Sequence, residues 1–238
     1  MRILEISMSS NSTQTSLRLG NRQRQRTRKS LLSAGQKLFA EQPADSVTIT
    51  DITEEAEVAK GSFYNHFVDK EAFAEAIYTA VHGELNLEID AANSGEKDPA
   101  ARIARALCLV LRHAQRHPEK LSALLSLAGR RSADAPLNDG VTADVAEGLR
   151  VGRFNGLDTK TGVLIVLSLI METVRCILSG GFHEKTPAPA LAGSVATAML
   201  RALGTPGADA ELVSRSAVEA ILWSASGGSG PINSIHRT

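Results

Sequence analysis

Residues 48–71, TITDITEEAEVAKGSFYNHFVDKE, constrain this 238-residue chain more than any other stretch. Thr48, with Asp51 three residues later, is a reciprocal capping arrangement that opens a helix. Ile49, Ile52 and Ala56 recur at helical spacing and give that helix one buried face. A break falls at Glu57-Val58, and a second short helix over residues 59–67 carries Phe63 and Phe67 four apart. Two short helices, a tight turn and a basic run upstream describe a helix-turn-helix whose second helix fits a major groove. The same pattern fits an ordinary helical hairpin in an all-helical core, and periodicity alone does not separate the two.

Charge distribution favours the first reading. The totals balance, 26 basic against 26 acidic residues, and so say nothing about nucleic acid. Residues 1–30, however, hold seven basic side chains (Arg2, Arg18, Arg22, Arg24, Arg26, Arg28, Lys29) against Glu5, a net of +6 that leaves −6 for the rest. A positive end on a mildly negative body suits a protein that holds DNA at one end. Residues 21–29, NRQRQRTRK, have no apolar position and are either a disordered basic arm or the solvated start of the first helix. Residues 1–20 are rich in Ser and Thr, lack a continuous apolar core and do not form a secretory signal. They are expected to be flexible.

The rest of the chain carries helical periodicity throughout. The first helix is settled by Ser30 and ends near Gln42-Pro43, because proline disfavours helix at the residue before it. Asp69 caps a fourth helix with Phe73, Ala76, Ile77, Ala80 and Val81 on its buried side, ending near Ile89. Asp98-Pro99 opens a fifth helix that runs to about His117. Pro118 starts a sixth through Leu121, Leu124, Leu125 and Leu127. Residues 130–140 are expected to be loop, and a seventh helix spans residues 139–154. Residues 158–178 are apolar on nearly all sides, which implies burial on all sides, and residues 187–203 offer small, close-packing contacts. A last amphipathic helix covers residues 208–223, before a tail of disordered composition.

Several function classes are excluded. The apolar run over residues 163–171 is too short to span a bilayer, so no membrane partner is expected, and the use of two cysteines fits a reducing cytoplasm. Cys108 and Cys176 lie in apolar helical stretches and behave as small hydrophobes rather than a disulfide or metal pair. His113 and His117 stand four apart, a metal-ligand spacing, but no further ligand pattern accompanies them. No phosphate loop, dinucleotide fingerprint or nucleophile elbow appears, so neither enzyme activity nor a cofactor is expected.

Residues 28–73 resemble the DNA-binding domain of the TetR family of bacterial transcriptional regulators. The first helix, RKSLLSAGQKLFAEQ, has Ala34, Leu38 and Phe39 where that family packs it. TITDITEEA and AKGSFYNHF follow as second and third helices, and DKEAF opens the fourth. The tail GSFYNHFVDKE is the specific part, since a bare helix pair would not predict it. Two positions depart from the family: Thr53 stands where alanine is usual, and Glu57 where glycine is usual. A side chain at Glu57 is expected to be forced towards the left-handed region that glycine occupies more cheaply. The family also usually ends before the last helix, which either covers the bundle or sits on its surface.

The resemblance implies an all-α fold: an N-terminal three-helix DNA-binding domain with a helix-turn-helix, then a helical ligand-binding and dimerisation domain. The expected organisation is a flexible basic arm over residues 1–24, the helix-turn-helix domain over 25–72, the effector and dimerisation domain over 73–204, and the extra helix and tail over 205–238. It places Lys60, Gly61 and Ser62 near base edges, with Tyr64, His66 and Lys70 on phosphates and Asn65 beside them. Thr48 caps the second helix or leaves its end free for a phosphate. Arg26 and Arg28 of the basic run complete the DNA-contacting set. The expected partners are a near-palindromic DNA duplex, a second copy of the chain and an unidentified small-molecule effector. The effector is apolar or amphipathic, with Leu107, Leu111, Leu124, Leu125, Leu164, Leu167 and Met171 as candidate walls and His113 and Arg175 as polar anchors. The implied function is a ligand-released repressor. The alternative is a helical dimerisation or adaptor protein without specific DNA binding.

Overall fold

The capping signals and helical periodicity are realised as ten helices in a computed structural model that describes residues 4–128, 138–180 and 188–223. These are α1 (Leu4–Glu41), α2 (Ile49–Glu55), α3 (Lys60–Tyr64), α4 (Lys70–Asn93), α5 (Pro99–Arg116), α6 (Pro118–Ala128), α7 (Asp139–Arg150), α8 (Thr159–Leu178), α9 (Ala188–Ala202) and α10 (Gly207–Val218). A π-helical turn, Glu219–Trp223, follows α10. The chain divides into two units: α1–α3 with α4 up to Val81 and α6 from Ser122, and α4 from His82, the start of α6, α5 and α7–α10.

The first unit is built round aromatic rings. Phe39, Phe63 and Phe73 are almost fully buried, and Phe67 nearly so. Phe73 of α4 touches the other three, with ring centroids 5.3 Å from Phe63, 4.9 Å from Phe67 and 6.1 Å from Phe39. Edge-to-face and tilted pairs at such separations are attractive beyond the area that they bury. Leu31, Ala34 and Leu38 of α1, Ile52 of α2 and Ile77 of α4 close the core. Gly35 lies mid-helix, where glycine is unfavourable by about 1 kcal/mol relative to alanine. Its reason is proximity: a Cβ there would stand 2.4 Å from Phe73 Cζ and 2.5 Å from Ile77 Cδ1.

In the second unit α5 is the central helix, buried along most of its length and packed by α7, α8, α9 and α10. Asp98 caps it, accepting from Ala100 N–H at 3.0 Å. Arg153 binds both oxygens of Asp98 at 2.8 Å and also reaches Asp209, tying the start of α5 to that of α10. Burial alone would raise the Asp98 pKa, but the bonds from Arg153 and Ala100 outweigh it and hold the carboxyl below its ordinary value. The last helix covers the bundle: Ala210, Ser214, Ala217 and Val218 are buried, and Arg112 of α5 donates to Ile221 O at 3.0 Å.

Several boundaries differ from expectation, each for a local reason. The basic run lies inside α1, so it takes the second of its two readings, the solvated start of a helix, and the helix reaches back to Leu4. No proline interrupts residues 4–41. α4 runs four residues beyond Ile89, to Asn93, whose side chain donates to Arg102 O at 3.2 Å. α7 ends at Arg150, because Gly152 turns the chain (φ 72) and Phe154 folds back over Gly148. The expected loop at 130–140 falls largely outside the described residues, apart from Asn138, which precedes α7, and Asp139 and Gly140 in α7, and the expected tail after 223 wholly so.

α8 gives the clearest revision. Among the described residues it is the one helix long and apolar enough to cross a bilayer, yet only 33 % of its most apolar window is buried within the chain. Gly162, Val163, Val166, Ile170, Thr173 and Val174 face inward, while Leu164 is 56 % exposed. Burial on all sides does not hold within a single copy.

Gly35→Ala is expected to destabilise the protein. The gain in helix propensity is about 1 kcal/mol; overpacking against two buried side chains costs about 2–3 kcal/mol. A net loss of about 1–2 kcal/mol should appear as a lower urea midpoint with an unchanged m-value.

Candidate nucleic-acid interface

The turn between α2 and α3 sets the direction of α3. At the start of α2, Asp51 N–H donates to Thr48 Oγ1 at 3.1 Å and Thr48 N–H to Asp51 Oδ2 at 2.8 Å, a complete capping box. The bonds that the Asp51 carboxylate accepts from Thr48 N–H and from the Thr48 hydroxyl lower its pKa. Thr48 is therefore a cap, and the Asp51 carboxylate already occupies the anion position there. At the other end Val58 N–H donates to Thr53 O and Glu57 N–H to Glu54 O, both at 3.0 Å. This is a Schellman closure with Glu57 at its left-handed position. Glu57, φ 54, is the one non-glycine residue with positive φ among the described residues. The motif forms despite the side chain. Thr53 is also accommodated: buried to 3 % exposure, its hydroxyl donates to Thr50 O at 3.0 Å.

α3 then presents one face inward and one outward. Phe63 is buried while Lys60, Gly61, Tyr64 and Asn65 are exposed and Ser62 and His66 half-buried. Tyr64, 54 % exposed, rests edge-on against Phe63 at 5.5 Å, which orients the ring and leaves the hydroxyl outside. Lys60 Nζ donates to Thr50 Oγ1 at 3.1 Å, which holds the ammonium between α2 and α3. A Cβ on Gly61 would meet nothing within 4 Å, so nothing inside the chain requires glycine there.

Lys70 is placed differently from the rest. Its ammonium donates to the carbonyls of Ala44, Asp45 and Val47 at 3.2, 3.3 and 3.0 Å. An ammonium has three N–H donors, so the loop joining α1 to α2 uses all of them. The expected phosphate contact is taken up by this internal role.

The basic run on α1 is divided by helical geometry. Arg24 and Arg28, four apart, turn towards α3: Arg24 Nη2 donates to Asn65 O at 3.3 Å, and the Arg28 guanidinium sits 5.3 Å from the Phe67 ring centroid. Arg26 is exposed. Between the helices runs a groove of about 500 Å³ lined by Gly20, Gln23, Arg24, Thr27, Ser62, Asn65 and His66. Burial lowers the His66 pKa, and Arg24 and Arg28 lower it further, so the ring is neutral at neutral pH. Gln23 and Thr27 were not singled out by sequence, and Arg24 only as one cation of the basic run; its four-residue spacing from Arg28 was the available signal.

The same stretch is what known proteins share with this chain. A family model described as bacterial regulatory proteins, tetR family, matches residues 31–77. The match is confined to the head of the chain, and it is this head that is similar to the TetR family. The repressor DhaR of Mycobacterium sp. (strain GP1) is 36 % identical over 75 residues, covering 32 % of this chain and 38 % of that protein. The repressor NemR of Escherichia coli (strain K12) is 33 % identical over 76 residues, covering 30 % and 38 %. The chain thus matches well under half the length of these relatives. Fold similarity runs further: RolR in complex with resorcinol aligns over 82 % of this chain and 95 % of its own (TM-score 0.53, 24 % identity). A γ-butyrolactone receptor aligns over 83 % and 98 % (TM-score 0.60, 18 % identity).

Beyond the head, the candidate effector residues fall into separate groups. Leu107, Leu111 and His113 are buried on α5. His113 Nδ1 lies 3.4 Å from Glu88 Oε1, while Nε2 has no hydrogen-bond partner. Burial lowers the His113 pKa, with Glu88 opposing, so the net direction favours the neutral ring. Leu124 (buried) and Leu125 (half-buried) belong to the part of α6 grouped with the first unit. Leu164, Leu167, Met171 and Arg175 form a stripe of exposed and half-buried residues on the outward side of α8, where Arg175 pairs with Glu172, whereas Leu107 and Leu111 are buried. Among the described residues no group of three or more His, Cys, Asp or Glu could hold a metal. Both cysteines are free thiols, and burial pushes Cys108 up to about 12.

Glu57→Gly is expected to stabilise the head. Relief of left-handed strain is about 1–2 kcal/mol, partly offset by the larger unfolded-state entropy of glycine, about 0.4–1 kcal/mol. Chemical denaturation should show a gain of about 0.5–1 kcal/mol, with Glu57→Ala giving none.

Proposed function

We propose that this chain is a sequence-specific DNA-binding transcriptional repressor that acts as a two-fold dimer and is released by a small apolar or amphipathic effector. The observation that carries the reading is the outward face of α3. Lys60, Gly61, Ser62, Tyr64 and Asn65 stand on a helix fixed from behind by Phe63 and flanked by the cations of α1. Lys60 and Ser62 supply donors for base edges, the open surface at Gly61 lets a backbone approach, and Tyr64, His66, Arg26 and Arg28 suit phosphates. The similarity to DhaR and NemR, both named as repressors, supports the direction of regulation.

The dimer is argued from what α8 and α9 leave uncovered. Leu164, with Leu167 and Met171 beside it, makes an apolar stripe, and Ala190, Ser194 and Ala198 of α9 are small and exposed. A second copy packing on these faces would form a four-helix arrangement, and small residues permit close approach. The effector reading rests on Leu107, Leu111 and the orphaned nitrogen of His113. A buried acceptor without a partner is costly, and a ligand hydroxyl or N–H would satisfy it. RolR, similar in fold, has been crystallised with the dihydroxybenzene resorcinol. Effector and operator must weaken each other's binding by one common factor.

The deciding experiment selects binding sites for the purified protein from fragmented genomic DNA at several salt concentrations, without effector. A near-palindromic site is the expected result; failure to enrich any site would favour an adaptor role. On the selected duplex, Tyr64→Phe should weaken all sequences alike, by about tenfold if one charge-assisted bond is lost, whereas Lys60→Ala should also lower discrimination. Leu164→Asp should shift sedimentation from dimer to monomer with helicity retained.

A further inference from the structure

We propose that the groove between α1 and α3 is a seat for a backbone phosphate of duplex DNA, walled by Gln23, Arg24 and Thr27 on one side and Ser62, Asn65 and His66 on the other. This rests on the DNA-binding reading above and adds to it a shared seat between α1 and α3, with Gln23, Arg24 and Thr27 as its new members. The groove has the size for a sugar-phosphate segment, about 500 Å³, and every side chain lining it is polar. Thr27, Ser62 and the Gln23 and Asn65 amides supply neutral donors, and Arg24 supplies the charge. Arg24 is already held against the end of α3 through Asn65 O, 3.3 Å away, so the cation is in place before DNA arrives. A rigid helix carrying that residue positions the phosphate relative to α3, which a free arm would not do.

The seat couples DNA binding to a proton. The charged groups acting on His66 are Arg24 and Arg28, both cations from α1, and with burial they keep the ring neutral in the free protein. A phosphate entering the groove brings the missing anion. Its charge favours the imidazolium, so the complex takes up a proton that the free protein does not hold. By linkage, affinity then rises as pH falls through the interval between the free and bound pKa values, by at most about tenfold per pH unit for one proton. The free value is depressed, so the effect lies on the acidic side of neutrality and fades above it.

The test uses the full-length chain and a duplex that it selects from a random-sequence pool. Affinity is measured across a salt series and from about pH 8 to about pH 6 for wild type, Arg24→Gln and His66→Gln, with thermal melts confirming that both variants fold. Wild type should tighten about three- to tenfold towards low pH, and His66→Gln should be flat. Arg24→Gln should lower the slope of log affinity against log salt by about one unit, as one phosphate contact is lost. Equal salt slopes in all three proteins together with an equal pH response would overturn the proposal while leaving DNA binding intact. Failure of the wild type to select any duplex would remove both readings. In a separate arm, inorganic phosphate replaces the duplex and the His66 ring protons are followed by NMR. Little displacement is expected, because one free ion lacks the contacts of a docked duplex; protonation of His66 by inorganic phosphate to the same extent would mean a simple anion site and overturn the duplex assignment.

Discussion

Phe73 is the side chain on which the first unit depends. It comes from α4, yet its ring meets Phe39 of α1, Phe63 of α3 and Phe67, three residues beyond the end of α3. α3 has only five residues, far too few to be stable alone. Its helical form is imposed by the ring cluster on one side and the closed turn after α2 on the other. Gly35 belongs to the same constraint, since the first and fourth helices could not bring Phe73 so deep if a methyl group stood there. The polar face of α3 is therefore a product of burial behind it.

Around that core, polar groups are used in two distinct ways. Thr48, Thr53, Asp51 and Lys70 satisfy backbone or one another, and their hydrogen bonds fix loops and helix ends. Lys60, Tyr64 and Arg26 remain directed outward. Nothing in the residue types separates the two groups, because a lysine that closes a loop and a lysine that meets a base are the same residue. Lys70 shows this best. Sequence placed it among phosphate contacts, but three carbonyls converge on its ammonium at distances that leave no donor over.

Local signals were legible wherever they are set by short-range physics. The capping box at Thr48, the break at Glu57, the Asp98-Pro99 start and the inward turn of Phe63 depend on neighbours within a few residues, and all appear in the structure. The left-handed backbone at Glu57 was readable because the turn demands it whichever residue is present. Illegible were features that need a partner from elsewhere in the chain. α8 is apolar on so many sides that periodicity could not say which side α5 and α7 would cover, and Leu164, Leu167 and Met171 proved to be on the other. Phe154 was absorbed into a helix because the sequence does not announce that Gly148 leaves room for its ring.

The state of the basic run bears directly on how charge becomes affinity. A disordered arm that wraps a duplex must lose backbone freedom of about 1–2 kcal/mol per residue as it orders, which offsets much of the gain from each phosphate contact. Residues 21–29 lie in a continuous helix, anchored through Arg24 to Asn65 and through Arg28 to the Phe67 ring. Most of that freedom is already gone in the free protein, so a phosphate contact made from such a helix forfeits less of its gain to ordering. The helix also fixes which cations face which way: Arg24 and Arg28 turn to α3, while Arg22 and Arg26, one helical turn apart on another side, remain exposed. A flexible arm carrying the same residues would present an averaged charge. This helix presents a patterned one, and pattern is what gives phosphate contacts a register along the duplex.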